Sequence, residues 1–124
     1  MTDKNYNINL DIKYENLEII DVWEVVHGCK EKWFNQTLTK VNDSVVRLGI
    51  VQGEFHWHKH DNDDEFFFVL EGELLLDIEP NNILVLKPKQ GTTVPKGTMH
   101  RPRAVKKTVM LMIETAAIKP LGDL

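Results

Sequence analysis

A single cysteine, Cys29, stands in 124 residues. No intramolecular disulfide can form, so stability has to come from an apolar core, which a chain of this length can build. Cys29 lies away in sequence from the cluster of histidines at 56–60 and reads as an inert buried thiol. Basic charge is also short: 15 Lys and Arg against 19 Asp and Glu leave a formal net charge of −4, which argues against nucleic acid as a partner. No stretch approaches the roughly 18 apolar residues of a membrane span. The opening Met-Thr-Asp-Lys-Asn-Tyr-Asn lacks the apolar run of a secretory signal. No membrane association is expected, and a reducing, cytoplasmic location is the simplest reading. There is no internal repeat, no Gly-x-Ser-x-Gly and no phosphate-cradling glycine loop, so serine-hydrolase and nucleotide-binding readings lose their support. Hydrophobic content of 42% with 27% charged residues excludes a disordered chain.

What remains is one domain, read in two parts. Residues 1–35 are expected to form an N-terminal arm and a helix packed on the main body. Within them, 1–15 read as irregular. Leu17, Ile20, Val22 or Trp23 and Val26 recur at helical spacing from an Asn16 N-cap to Gly28. The β-branched Ile19, Ile20, Val22, Val25 and Val26 keep a strand open for the same segment. Residues 36–124 read as short strands separated by turns: Gln36–Val41 and Val45–Gln52 around Asn42-Asp43, then Phe55–His60, Glu65–Leu70, Glu73–Ile78, Ile83–Lys87, Thr92–Val94 and Val105–Glu114. Pro95-Lys96-Gly97 suits a type I turn with proline second and glycine fourth. Many short strands at this spacing indicate a sandwich or barrel. Trp23, Trp33 and Phe66-Phe67-Phe68 are expected in the core, with Trp57 or Phe67 as candidates for a pocket wall.

The chemistry concentrates in Gly53-Glu-Phe-His-Trp-His-Lys-His-Asp-Asn-Asp-Asp-Glu65. His56, His58 and His60 share one parity, so a strand would project all three from one face. Neutral imidazole ligates Zn, Fe, Ni and Cu, and Glu65 beyond a four-residue turn offers a harder oxygen ligand. One histidine on a strand is ordinarily a surface or satisfied core residue. Three on one face with a carboxylate across a turn point to a metal. A calcium loop starting at Asp61 is excluded, because its sixth position is Phe66 and its twelfth is Gly72 rather than glutamate.

Trp57-His58-Lys59-His60, four residues, Glu65, six residues and Gly72 resemble the first motif of the cupin superfamily; Pro95-Lys96-Gly97-Thr98-Met99-His100 resembles its second. The motifs span residues 53–104, and the strand pattern carries the similarity to about 40–115. The resemblance implies an all-β, cupin-like jelly-roll barrel with a short N-terminal helix. It also implies one divalent metal (Fe, Mn, Ni, Zn, Co or Cu) held by His58, His60, Glu65 and His100, and a tendency to form homodimers. The sequence departs from the pattern at Gly53, one residue nearer to the first histidine than usual. Lys89 stands where a glycine is expected six residues before Pro95, and Ala104 where an asparagine is expected after His100.

His56 is not a family ligand, yet alternation places it on the inner face as a pocket residue. Three histidines and a glutamate leave about two positions open on a six-coordinate metal. Such a centre resembles cupin dioxygenases, isomerases and lyases acting on a small polar or anionic molecule, and also cupins that bind a small ligand without catalysis. The fold does not choose among them. From Lys87 to Lys107 there are seven basic residues and no acidic one, whereas residues 61–79 hold eight acidic ones. These segments read as solvated faces salt-bridged across strands. On a functional reading, Arg101 or Arg103 meets a carboxylate or phosphate at the barrel mouth, with Arg101 the candidate pocket residue.

Overall fold

The computed structural model describes residues 6–123. Its elements are β1 (Asn7–Asn9), α1 (Val22–Gly28), β2 (Trp33–Val41), β3 (Ser44–Glu54), β4 (Glu65–Glu71), β5 (Leu74–Ile78), β6 (Asn82–Leu86), β7 (Gly91–Val94) and β8 (His100–Thr115). β1 runs parallel to β2, and β2 and β3 form the expected hairpin, with Val41 opposite Ser44 across Asn42-Asp43. Asn42 takes the left-handed conformation (φ 53°) that asparagine tolerates in tight turns. The hydrogen-bonded order is β1-β2-β3-β8-β4-β7, with β5 also on β8 and β6 outside β5.

β8 makes this arrangement possible. Residues 103–115 run antiparallel to β3, while the opposite edge serves two strands in turn: residues 100–103 pair with β5 and 109–113 with β4. The register of β3 against β8 slips between Val51 and Gly53, a bulge that lets the pair bend where β8 passes from one neighbour to the next. The outcome is an all-β jelly roll with, among the described residues, one short helix.

Period-two alternation then sorts the strand residues into two cores. Trp33 from β2, Val51 from β3, Phe67 and Val69 from β4, Leu74 and Leu76 from β5 and Met110 and Met112 from β8 meet inside. Leu38, Leu48, Ile50 and Val109 face the other way, where Tyr14 and Val26 of the N-terminal segment cover them. Each fully buried side chain of this size contributes roughly 1.5–3 kcal/mol. The sheet is therefore apolar on both faces where β3 meets β8, which is why Val45–Val51 and Val109–Ile113 read as nearly continuous apolar runs.

Several boundaries differ from expectation. Part of the arm expected over 1–15 pairs as β1, and residues 1–5 lie outside the described residues. The helix starts at Val22 rather than after Asn16, because Asp21 is the N-cap and its carboxylate accepts from the Glu24 N–H at 3.2 Å. Leu17 holds a positive φ of 70°, incompatible with a helix there, and Leu17 and Ile19 are exposed. Phe55–His60 is not a strand: only His58 bridges, to His100, and the chain otherwise passes as an extended connection. Trp33 and Phe67 are buried as expected, but Trp23 is exposed and stacks on His27. Lys89, standing where the glycine was expected, itself adopts a left-handed φ of 69°.

Candidate metal centre

His58 and His60 lie on the connection from β3 to β4, Glu65 opens β4 and His100 opens β8. Two reciprocal backbone bonds fix the connection to β8: His58 N–H to the His100 carbonyl at 3.0 Å, and His100 N–H to the His58 carbonyl at 2.8 Å. The second motif holds the other side. Its turn comprises Pro95-Lys96-Gly97-Thr98, with Thr98 N–H reaching the Pro95 carbonyl at 3.3 Å and glycine third at φ 80°. That is the glycine position of a type II turn, not the type I turn with glycine fourth that the sequence suggested. The Gly97 N–H donates to the His60 carbonyl at 2.8 Å, and the Lys96 N–H donates to Asp64 Oδ1 at 2.9 Å, so this turn positions the first motif as well as His100.

Gly97→Val forces a β-branched residue into left-handed backbone, at a cost of about 1–2 kcal/mol. It is expected to lower both the melting temperature and the metal content of purified protein. A folded variant with wild-type metal content would remove the turn from the site's support.

One ligand atom from each of His58, His60, Glu65 and His100 lies within 4.8 Å of all the others, and all four residues are buried. Backbone carbonyls select the tautomers. His58 Nδ1 donates to the His56 carbonyl at 3.0 Å and His100 Nδ1 to the Thr98 carbonyl at 2.9 Å, so each neutral ring keeps its Nε2 lone pair for the centre. Both ring nitrogens of His60 are buried without a hydrogen-bond partner. Glu65 Oε1 stands 3.4 Å from His60 Nε2 and from His100 Nε2. A lone-pair nitrogen facing a carboxylate oxygen in a buried site requires a proton or a cation between them. The donor set is that of a divalent transition metal, with bonds of about 2.0–2.2 Å to nitrogen and oxygen.

The electrostatics agree. Burial, and then the neighbouring His100, lower His58 to about 4, keeping it neutral. Burial alone would raise Glu65, but its close polar contacts with His100, His60 and Glu114 outweigh that and hold it well below the usual carboxylate range. Burial and then Glu65 push Glu114 up to about 10. Two carboxyls share one site, and Glu114 keeps the proton that bonds to Glu65.

A cavity of about 350 Å³, its open mouth included, adjoins the cluster. Trp33, Phe55, Phe67, Met110 and Met112 give it apolar walls; Asn35, Arg47 and Glu114 are its polar residues beside His58 and Glu65. The C-terminal segment closes one side: Pro120 lines the cavity, and Gly122 (φ 93°) packs so tightly that a Cβ there would lie 2.6 Å from the His58 Cβ. The Asp123 N–H donates to the Lys59 carbonyl at 2.8 Å and holds this segment down.

The two expected pocket residues lie elsewhere. His56 stacks on Phe55, and its Nε2 donates to the Leu121 carbonyl at 2.7 Å, so it anchors the C-terminal segment. Without a strand at Phe55–His60, alternation had no hold on its direction. Arg101 points away from its buried neighbours His100 and Pro102. It donates to Asp77 Oδ2 at 3.0 and 2.9 Å and stacks over Trp57, also outside the cavity wall. Arg103 joins the same carboxylate at 2.7 Å, so the basic and acidic segments are indeed bridged across strands. Arg47 and Glu114 were not singled out from the sequence. The available signal was a lone charge inside the apolar run Val45–Val51, and another closing Val109–Glu114.

Comparison with known proteins follows the same outline. The cupin domain family model matches residues 45–115, from the second residue of β3 to the last residue of β8. An uncharacterized Bacillus subtilis (strain 168) protein, YdbB, is 44% identical over 90 residues, covering 73% of this chain and 80% of its own. A cupin-2 domain protein of Shewanella frigidimarina superposes with a TM-score of 0.74 at 29% identity, over 78% of this chain and 94% of that one. A Neisseria meningitidis protein follows with 0.70 at 24% identity, over 79% and 99%. Strand order, the paired histidine motifs and a family match over more than half of the sequence agree, and this chain belongs to the cupin family.

Proposed function

We propose that this cupin is a metalloprotein in which His58, His60, Glu65 and His100 hold one divalent metal that takes part in a reaction on a small polar or anionic molecule. The observation that carries the reading is the buried His60 ring, unpartnered at both nitrogens and 3.4 Å from Glu65 Oε1, among two histidines whose tautomers already point lone pairs inward. When bound, the metal would supply Lewis-acid polarisation or a binding position for O₂, as in dioxygenase, isomerase or lyase chemistry. The chain's own part is defined by its residues. Apolar walls exclude water, Thr98 and His56 carbonyls hold the imidazole protons away from the centre, and Glu114 holds a proton beside Glu65.

Purified protein is expected to carry close to one metal equivalent by elemental analysis. If it is isolated without metal, it should take up Fe(II), Mn, Ni, Co, Cu or Zn; no uptake of any of the six refutes the reading. O₂ consumption with candidate ligands separates oxygenases from Lewis-acid enzymes. We also propose a cytoplasmic homodimer that covers the exposed Leu17, Ile19 and Trp23. Sedimentation of a single monomeric species at micromolar concentration would refute the dimer, and recovery outside the cytoplasmic fraction would refute the location.

A further inference from the structure

Arg47 is a charged side chain in the middle of the barrel wall. On β3 it stands between Thr37 of β2 and Met112 of β8, on the inward parity, and only 4% of it reaches solvent. Its nearest carboxyl is that of Glu114, with Nε 3.3 Å from Oε2, but the two are not aligned for a hydrogen bond and Nε has no partner. A buried guanidinium kept only for structure would have its N–H groups bonded, because buried charge is tolerated when its hydrogen bonds are made. Arg47 instead lines the cavity that also holds His58 and Glu65. Close by on the same face, Asn35 Oδ1 and Thr37 Oγ1 are also buried without partners. This is a patch of hydrogen-bonding capacity that the protein itself leaves unused.

The charges point the same way. A divalent metal and Arg47 together exceed Glu65 and Glu114 even with both carboxylates ionised, so the loaded cavity is cationic. In a site of low dielectric that imbalance favours an anionic ligand. The guanidinium presents a planar fork of N–H donors whose geometry suits a carboxylate. The cavity volume and the apolar walls of Trp33, Phe55 and Phe67 restrict the rest of the ligand to a small skeleton.

We propose that Arg47 is the anion anchor of the cavity and that the ligand is a small carboxylate carrying a hydroxyl or amino group. The guanidinium holds the carboxylate, and the Oδ1 of Asn35, which also lines the cavity, accepts from the second polar group. The inference rests on the metalloprotein reading only for the reacting end of the ligand; the carboxylate end depends on Arg47 alone.

Calorimetric titration tests it with glycolate, L-lactate and glycine, and with the matching amides glycolamide, L-lactamide and glycinamide. Each is titrated into metal-loaded and chelator-treated protein whose metal content is measured separately. At least one carboxylate should bind about tenfold or more tightly than its amide in both preparations. Arg47→Met should remove that preference, weakening the carboxylate about 10- to 100-fold with metal content unchanged. Arg47→Lys keeps the charge without the fork and should fall between; it carries the test if Arg47→Met does not fold. Equal binding of acid and amide, no binding by any carboxylate, or a preference that survives substitution overturns the anchor. Failure of wild type to hold or take up any of the six metals overturns the proposed function instead and leaves the acid-to-amide ratio in the metal-free protein to decide on Arg47.

Discussion

His58→Ala and His100→Ala are each expected to weaken metal binding on the order of 100-fold or more, while His56→Ala leaves it intact. Loss of a ligand outranks the 10- to 100-fold cost usual for an outer-shell partner. Each of these two residues is also tied to the other through the His58–His100 backbone bridge. An alanine keeps that bridge, so the variants isolate the side chain. Metal that binds only the folded state should raise the melting temperature, and the increment should vanish in both variants. Competitive titration against a chelator checks the affinities, and thermal melts check the increment. A wild-type increment retained in His58→Ala would remove His58 from the ligand set.

The second large effect concerns protons in the metal-free protein. In the folded state His58 titrates at about 4 against 6.5 for an unperturbed histidine, so between these values the unfolded chain holds a proton that the folded one lacks. On its own this lowers stability as pH falls from 6.5 to 4, by about 3 kcal/mol. Glu114 acts with the opposite sign. Raised from 4.5 to about 10, it keeps a proton that the unfolded chain releases, so stability declines as pH rises through that interval. Between pH 4.5 and 6.5 the two slopes cancel. Chelated wild type should therefore show a plateau there and a decline above 6.5. Glu114→Gln mimics the protonated acid, so it should abolish the decline and expose the fall on the acid side. Urea unfolding at half-unit pH steps measures both, and a variant with the wild-type profile would show that Glu114 does not carry the proton.

Much of this was legible because the chemistry is local. Three of the four clustered residues lie between His58 and Glu65, and the fourth follows a Pro-Lys-Gly turn, so short-range patterns found them. Strands β2 to β7 were legible from turn residues and alternation. What escaped depended on tertiary partners. Asp21 rather than Asn16 caps the helix, and the preceding residues, though apolar, remain on the surface. The connection carrying His56 is pinned by β8 and the C-terminal segment rather than by a strand ladder. Arg47 and Glu114 gain meaning only once β3, β4 and β8 are side by side, because Arg47 meets Glu114, and Glu114 meets Glu65, only across strands far apart in sequence. Arg101 was legible as a charge, but its direction was set by Asp77 on β5.

The place of β8 has a consequence for how the chain acquires its structure. β3, β4 and β5 all leave an edge waiting for this one strand, which is last among them in sequence. Until roughly residue 115 has left the ribosome, three apolar strands have open edges and His58 lacks its bridge to His100. Pairing over such sequence separations is slow, and exposed strand edges invite association with other nascent chains. Chains stalled before β8 should accumulate as aggregation-prone species, and full-length chains should gain protease resistance in one late step rather than strand by strand.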